Sequence, residues 1–184
     1  MFIQFEETPN PNTLKFLPGL QVLSSGTRDY QTIEDAGKSK LAQSLFHLED
    51  IAGVFLGFDF ISVTKAEGGD WELLKPHVLG VIMEHFASGL PAVEDDTPAE
   101  AANVEDMDEL SLQIKELVDT RVKPSVAMDG GNIEFIRFEE GIAYLRLEGA
   151  CSGCPSASVT LKSGVENMLK HYIPEVIRVE ATNG

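Results

Sequence analysis

The run Leu147-Glu-Gly-Ala-Cys-Ser-Gly-Cys-Pro-Ser156 decides how this chain is read. It follows an alternating apolar stretch, Ile142 to Leu147, and precedes a helical stripe at Leu161, Val165, Met168, Leu169 and Tyr172. The only two cysteines, Cys151 and Cys154, therefore fall in a strand-to-helix loop. Pro155 suits a first helical position, where its missing N–H costs nothing. At that helix start Cys154 meets unpaired backbone N–H groups and the positive end of the helix dipole, both of which favour thiolate over thiol. Gly149 and Gly153 let backbone approach sulfur, and Ala150, Ser152, Ser156 and Ala157 leave room beside it. Two thiolates fill half of a tetrathiolate site.

Upstream of the loop, Asp108 can cap a helix with the stripe Leu110, Ile114, Leu117 and Val118, which Pro124 must end or kink. Asp129-Gly-Gly131 reads as a turn, and Ile133–Phe138 with Ile142–Leu147 as a hairpin over the solvated tip Glu139-Glu140-Gly141. Phe135, Phe138 and Tyr144 are expected on a sheet face. Pro174 ends the last helix, and Val176–Val179 is the last strand. The order is α-β-β-α-β, without an extended parallel β-α-β unit around the cysteines.

The first half alternates strand-like runs and helices. Phe2–Glu6, Leu14–Leu17, Val54–Leu56 and Phe60–Thr64 read as strands, with Thr8-Pro-Asn-Pro-Asn12 as an interruption. Leu41, Leu45 and Leu48 after Ser39, and Val78, Ile82 and Phe86 with Pro76 in the first turn, read as helices. Trp71 is expected as a core anchor, and His85 and His171 in surface or capping roles. The fold class is α+β: two small α/β domains, residues 1–90 and 110–184, joined by a flexible acidic linker at 91–109.

That linker carries eight acids and no base, half of a net charge of −16. Such a charge excludes nucleic acid or anionic lipid as a counter-charged partner, since both need a Lys/Arg face. No apolar run reaches the ~18 residues of a membrane span. The start, Met1-Phe-Ile-Gln-Phe-Glu6, has neither signal-peptide nor transit-peptide composition. A bacterial-type, reducing cytoplasm is the expected compartment, where a cysteine pair binds metal or does redox chemistry.

Three chemistries compete for Cys151 and Cys154. One is a dithiol cycling through a disulfide; against it, proline follows the second cysteine instead of lying between the two. A second is structural zinc, for which His47, His77, His85 and His171 offer no His-x3-5-His pair in this chain. A third is an iron-sulfur cluster shared between two copies of the chain, four thiolates arising by two-fold symmetry. No nucleophile with a positioned base and no nucleotide loop is present, so no enzyme is expected.

Arg121 to Pro124, Asp129-Gly-Gly131, Glu134-Phe135, the cysteine run, Thr160-Leu-Lys162 and Pro174-Glu-Val176 together resemble the C-terminal domain of the NifU/Nfu iron-sulfur proteins. Glu7-Thr-Pro-Asn-Pro-Asn-Thr-Leu-Lys-Phe16 and Phe58-Asp-Phe-Ile-Ser-Val-Thr-Lys65 resemble the Nfu N-terminal domain, with Phe58 at a turn position where relatives often carry proline. The resemblance implies a scaffold or carrier. It would receive a cluster, usually 4Fe-4S, from an upstream assembly scaffold and pass it to apo iron-sulfur proteins. The implied ligands are Cys151 and Cys154, and the implied holo form is a homodimer.

Overall fold

Two prolines cannot continue a ladder, so the chain reverses at Thr8–Asn12. There Asn12 N–H bonds Asn10 Oδ1 at 3.0 Å and Thr13 N–H bonds Asn10 C=O at 2.9 Å. This turn joins β1 (Gln4–Glu7) to β2 (Thr13–Leu17) in the computed structural model, which describes residues 2–94, 107–152 and 155–182, with side chains omitted at 155–157. β3 (Arg28–Tyr30), β4 (Ile51–Leu56) and β5 (Ile61–Lys65) complete an antiparallel sheet of order β1-β2-β5-β4-β3. One face presents Leu14, Phe16, Val54, Leu56, Ile61 and Val63 to α1 (Lys40–Phe46) and α2 (Trp71–Ala87). Ser39 caps α1 as expected, its Oγ accepting from Ala42 N–H at 3.1 Å.

Asp70 caps α2 through Glu72 N–H at 2.8 Å, which sets the helix start at Trp71 and puts Pro76 in the second turn, not the first. The carbonyl of Glu72, four residues back, loses its donor. Both residues are exposed, so water can take that place. Trp71 is only partly buried; it packs on the core and donates from Nε1 to Pro11 C=O at 3.2 Å.

His85 is buried, contrary to a surface role, with Nε2 3.1 Å from Pro91 C=O. It holds the segment that composition assigned to the linker. Ala92 and Val93 lie in the first core, Ser39 Oγ donates to Ala92 C=O at 2.6 Å, and Glu94 N–H bonds Lys38 C=O at 2.8 Å. At the other end Met107 packs on the second core and Asp108 caps α3 (Glu109–Leu117). The expected linker is thus structured at both described ends; residues 95–106 lie outside the described residues.

In the second unit α3 runs into a π-helical segment (Val118–Val122) and then α4 (Lys123–Met128), with Pro124 in the first turn of α4. Ile114, Val118, Val122 and Val126 are all buried. A four-residue repeat drifts around a helix of 3.6 residues per turn, and the wider π turn keeps the four on one side. β6 (Gly131–Glu139) and β7 (Ile142–Gly149) form the expected hairpin. A bulge between Phe135 and Arg137 separates the aromatics. Phe135 lies opposite Leu145 on the core side, while Tyr144 pairs with Arg137, whose guanidinium sits 4.2 Å from its ring centre. They do not share a face.

After α5 (Pro155–Tyr172), β8 (Arg178–Thr182) pairs parallel with β7, giving sheet order β6-β7-β8. A parallel β-α-β unit therefore does surround the cysteine loop, against the sequence expectation. Alternation alone does not tell a parallel partner from an antiparallel one. The strand also starts later than expected, because Val176 N–H closes a turn on Ile173 C=O at 3.1 Å. The molecule is mixed helix and sheet in two compact units.

Candidate metal centre

β7 ends at Gly149, whose φ of 66° turns the chain off the sheet at low steric cost. Ser152 N–H closes that turn on Gly149 C=O at 3.0 Å, and Ala150 N–H bonds Gly130 C=O at 3.2 Å. The loop is thereby stitched to the preceding turn, where Gly130 holds φ 79°. Cys151 is a buried thiol that belongs to the second core, with Ile133, Phe135 and Val165 in the same cluster. It stands at the carboxyl end of β7, just before α5, a strand-to-helix position where α/β proteins hold ligands.

Gly131 makes that placement possible. A Cβ there would lie 2.8 Å from Cys151 Sγ and 2.8 Å from the Glu148 carbonyl oxygen, closer than atoms can sit, and a tight 3.2 Å from Cys151 N. Gly131 and Gly149 are also register partners across β6 and β7. Asp129-Gly-Gly131, expected as a turn in preference to a site, thus also places Gly131 as the floor under the sulfur. The readable signal was a pair of glycines closing the same end of a hairpin as the cysteines.

Beside the loop, the Glu148 carboxylate accepts from Asn132 Nδ2 at 3.0 Å and pairs with Arg146 Nε at 3.2 Å. Arg146 also bridges Glu134. These contacts hold the Glu148 carboxylate on Asn132 and Arg146. The other expected ligand, Cys154, lies outside the described residues, as does Gly153. Among the described residues no group of three or more His, Cys, Asp and Glu could hold a metal ion. His47, His77 and His171 are exposed, and His85 is committed to Pro91. Burial lowers the His85 pKa, and the carbonyls of Pro91 and Leu90 oppose the shift.

Residues 3–89 match the family described as "Scaffold protein Nfu/NifU N terminal", and residues 114–180 match the NifU-like domain. Over 181 residues the chain is 52% identical to the human "NFU1 iron-sulfur cluster scaffold homolog, mitochondrial", covering 98% of this chain and 71% of that protein. The chain belongs to the Nfu/NifU scaffold family. The protein of the same name from Drosophila ananassae is 53% identical over 182 residues, covering 98% of this chain and 64% of its own length. This Nfu chain thus spans a little under two thirds of that relative. The solution NMR structure of a NifU-like protein from Saccharomyces cerevisiae is also similar: 26% identity, TM-score 0.48, covering 52% of this chain and 86% of that one.

These relatives correct the expected compartment. They are named as mitochondrial proteins, which overturns the expectation of a bacterial-type cytoplasm. Acidity and a cysteine pair report a reducing setting, and several compartments provide one. Among the described residues no helix is long and apolar enough to cross a membrane.

Proposed function

We propose that this Nfu chain is an iron-sulfur cluster scaffold and carrier, not a catalyst. It takes up a 4Fe-4S cluster as cargo between two chains, through Cys151 and Cys154 of each, and hands it to apo iron-sulfur proteins. The observation that carries this is the seat of Cys151: a sulfur at the end of a parallel strand, held against Gly131 where any side chain would displace it. Thiolate donors suit iron-sulfur cores, and the described residues supply no histidine or carboxylate set to complete a mononuclear site. Cys151 and Cys154 together give half of a four-thiolate set, so a second copy completes it by two-fold symmetry. Ligands split between chains can separate, which suits release to an acceptor.

An upstream assembly scaffold is the donor in this scheme, and the first unit aids the choice of acceptor. The alternative is a dithiol redox protein that cycles a Cys151-Cys154 disulfide; the β-α-β unit around the loop is the observation in its favour. A transfer experiment separates them. Protein loaded anaerobically is mixed with an apo four-iron enzyme whose activity reports delivered cluster. Recovery of activity without free iron supports the carrier. Disulfide reduction turnover with no cluster uptake supports the alternative.

A further inference from the structure

We infer that a groove on the first unit is the anchor point for a basic, apolar-flanked segment of a partner protein. The groove, about 390 Å³, lies between the end of α1 and the start of α2; its lining includes Leu48, Glu49, Asp50, Asp70, Leu73 and Leu74, together with His47 and His77. Its floor is apolar: Leu48 packs on the core and Leu74 is buried. Leu73 stands 68% exposed, the most exposed aliphatic side chain described in this unit, at a helix position where a polar residue would serve the fold equally well.

The charged lining is carboxylate. Glu49, Asp50 and Asp70 contribute carboxylates that join none of the ion pairs among the described residues, and no lysine or arginine lines the groove. His47 Nδ1 lies 2.7 Å from Gln43 C=O and His77 Nδ1 lies 2.8 Å from Leu73 C=O. A carbonyl can only accept, so in each ring Nδ1 is the donor of that bond. Three carboxylates around an apolar floor fit a donor-rich cation next to an aliphatic side chain. A metal ion is the poorer fit, since no three of these groups converge on one point. Arginine or lysine on an extended segment can instead reach acceptors spread along the groove.

The volume holds one or two side chains, an anchor within a larger contact. The carrier function gives such a partner its purpose, but the binding itself needs no cluster. The test uses the full chain, titrated calorimetrically with a short synthetic peptide of alternating leucine and arginine and with its glutamate counterpart. The arginine peptide should bind in a salt-dependent manner and the glutamate peptide should not. Glu49→Gln with Asp50→Asn should weaken binding about tenfold at low salt, and Leu73→Gln about threefold or more. Asn tolerates the positive φ of 64° at position 50, so that variant keeps its fold. Serine and glycine in place of the acids at 95–106 should leave binding unchanged, as should Cys151→Ala, which separates this groove from the cluster function.

Equal affinity in all groove variants, or loss on neutralising 95–106, overturns the inference in favour of diffuse attraction to an acidic chain. Zinc binding that the groove variants abolish overturns it in favour of a metal site.

Discussion

A methyl group added at Gly131 meets Cys151 Sγ at 2.8 Å, whereas one added at Gly164, inside α5, meets nothing within 4 Å. Gly131→Ala should destabilise the apo-protein by about 1–3 kcal/mol, because backbone on both sides of the loop must move. Gly164→Ala should stabilise it by about 0.5–1 kcal/mol, since alanine loses less backbone freedom in a helix. Denaturant titration of the two variants checks both signs. Of these residues only Cys151 was placed by the sequence, in the loop that follows a strand. A glycine that forms a turn and a glycine that floors a sulfur look the same until the strands are registered.

His85 likewise read as superficial because it sits on an amphipathic helix, yet it is buried under Pro91. Desolvation lowers its pKa, the Pro91 and Leu90 carbonyls pull it back, and the charge of Lys40 adds to the lowering. The unfolded chain therefore takes up the proton first as pH falls. The stability contributed by the neutral ring is complete above the ordinary imidazole range and is lost through that range toward the lower folded value. Thermal unfolding of the first unit should drop between about pH 7 and about pH 5, and His85→Gln should flatten the profile. An unchanged slope in that variant would remove His85 as the cause.

At the scale of elements, the α-π-α run from Glu109 to Met128 is held by core contacts on one side and by Asp119 on the other. Asp119 bridges Lys115 and, at 2.8 Å, Lys123. Partial burial works against its ionised form, but the two lysine hydrogen bonds outweigh it and hold the carboxyl below its usual pKa. That stabilisation is present above the ordinary carboxylate range and is lost as pH falls through the folded value. Asp119→Ala should cost about 0.5–1 kcal/mol near neutral pH, and the difference from wild type should vanish in acid. Denaturation of both proteins at the two pH values measures it.

Caps and breakers made several elements readable: Ser39 and Asp108 mark helix starts by side-chain chemistry that needs no tertiary context, whereas the Asp70 cap starts α2 a turn before the expected place. β3 escaped because Arg28–Tyr30 is three residues with no apolar alternation, and it exists through its pairing with β4. The parallel partnership of β7 and β8 and the bulge that turns Tyr144 away from Phe135 are also long-range choices. A local pattern does not encode them.

For the whole molecule, the acidic stretch and the two flanking patterns were enough to show two units. Their edges were misplaced because alanine and valine at 92 and 93 look like spacer composition and are in fact core. The compartment was misread for a different reason: composition speaks of redox setting, and the mitochondrial relatives speak of place. The proposed sharing of one cargo cluster by two chains through Cys151 and Cys154 is tested by anaerobic reconstitution with iron and sulfide, followed by native mass spectrometry of the full chain and of Cys151→Ala. The wild type should form a dimer carrying one four-iron cluster, and the variant should carry none. A cluster held by a single chain, or one retained in Cys151→Ala, would contradict it.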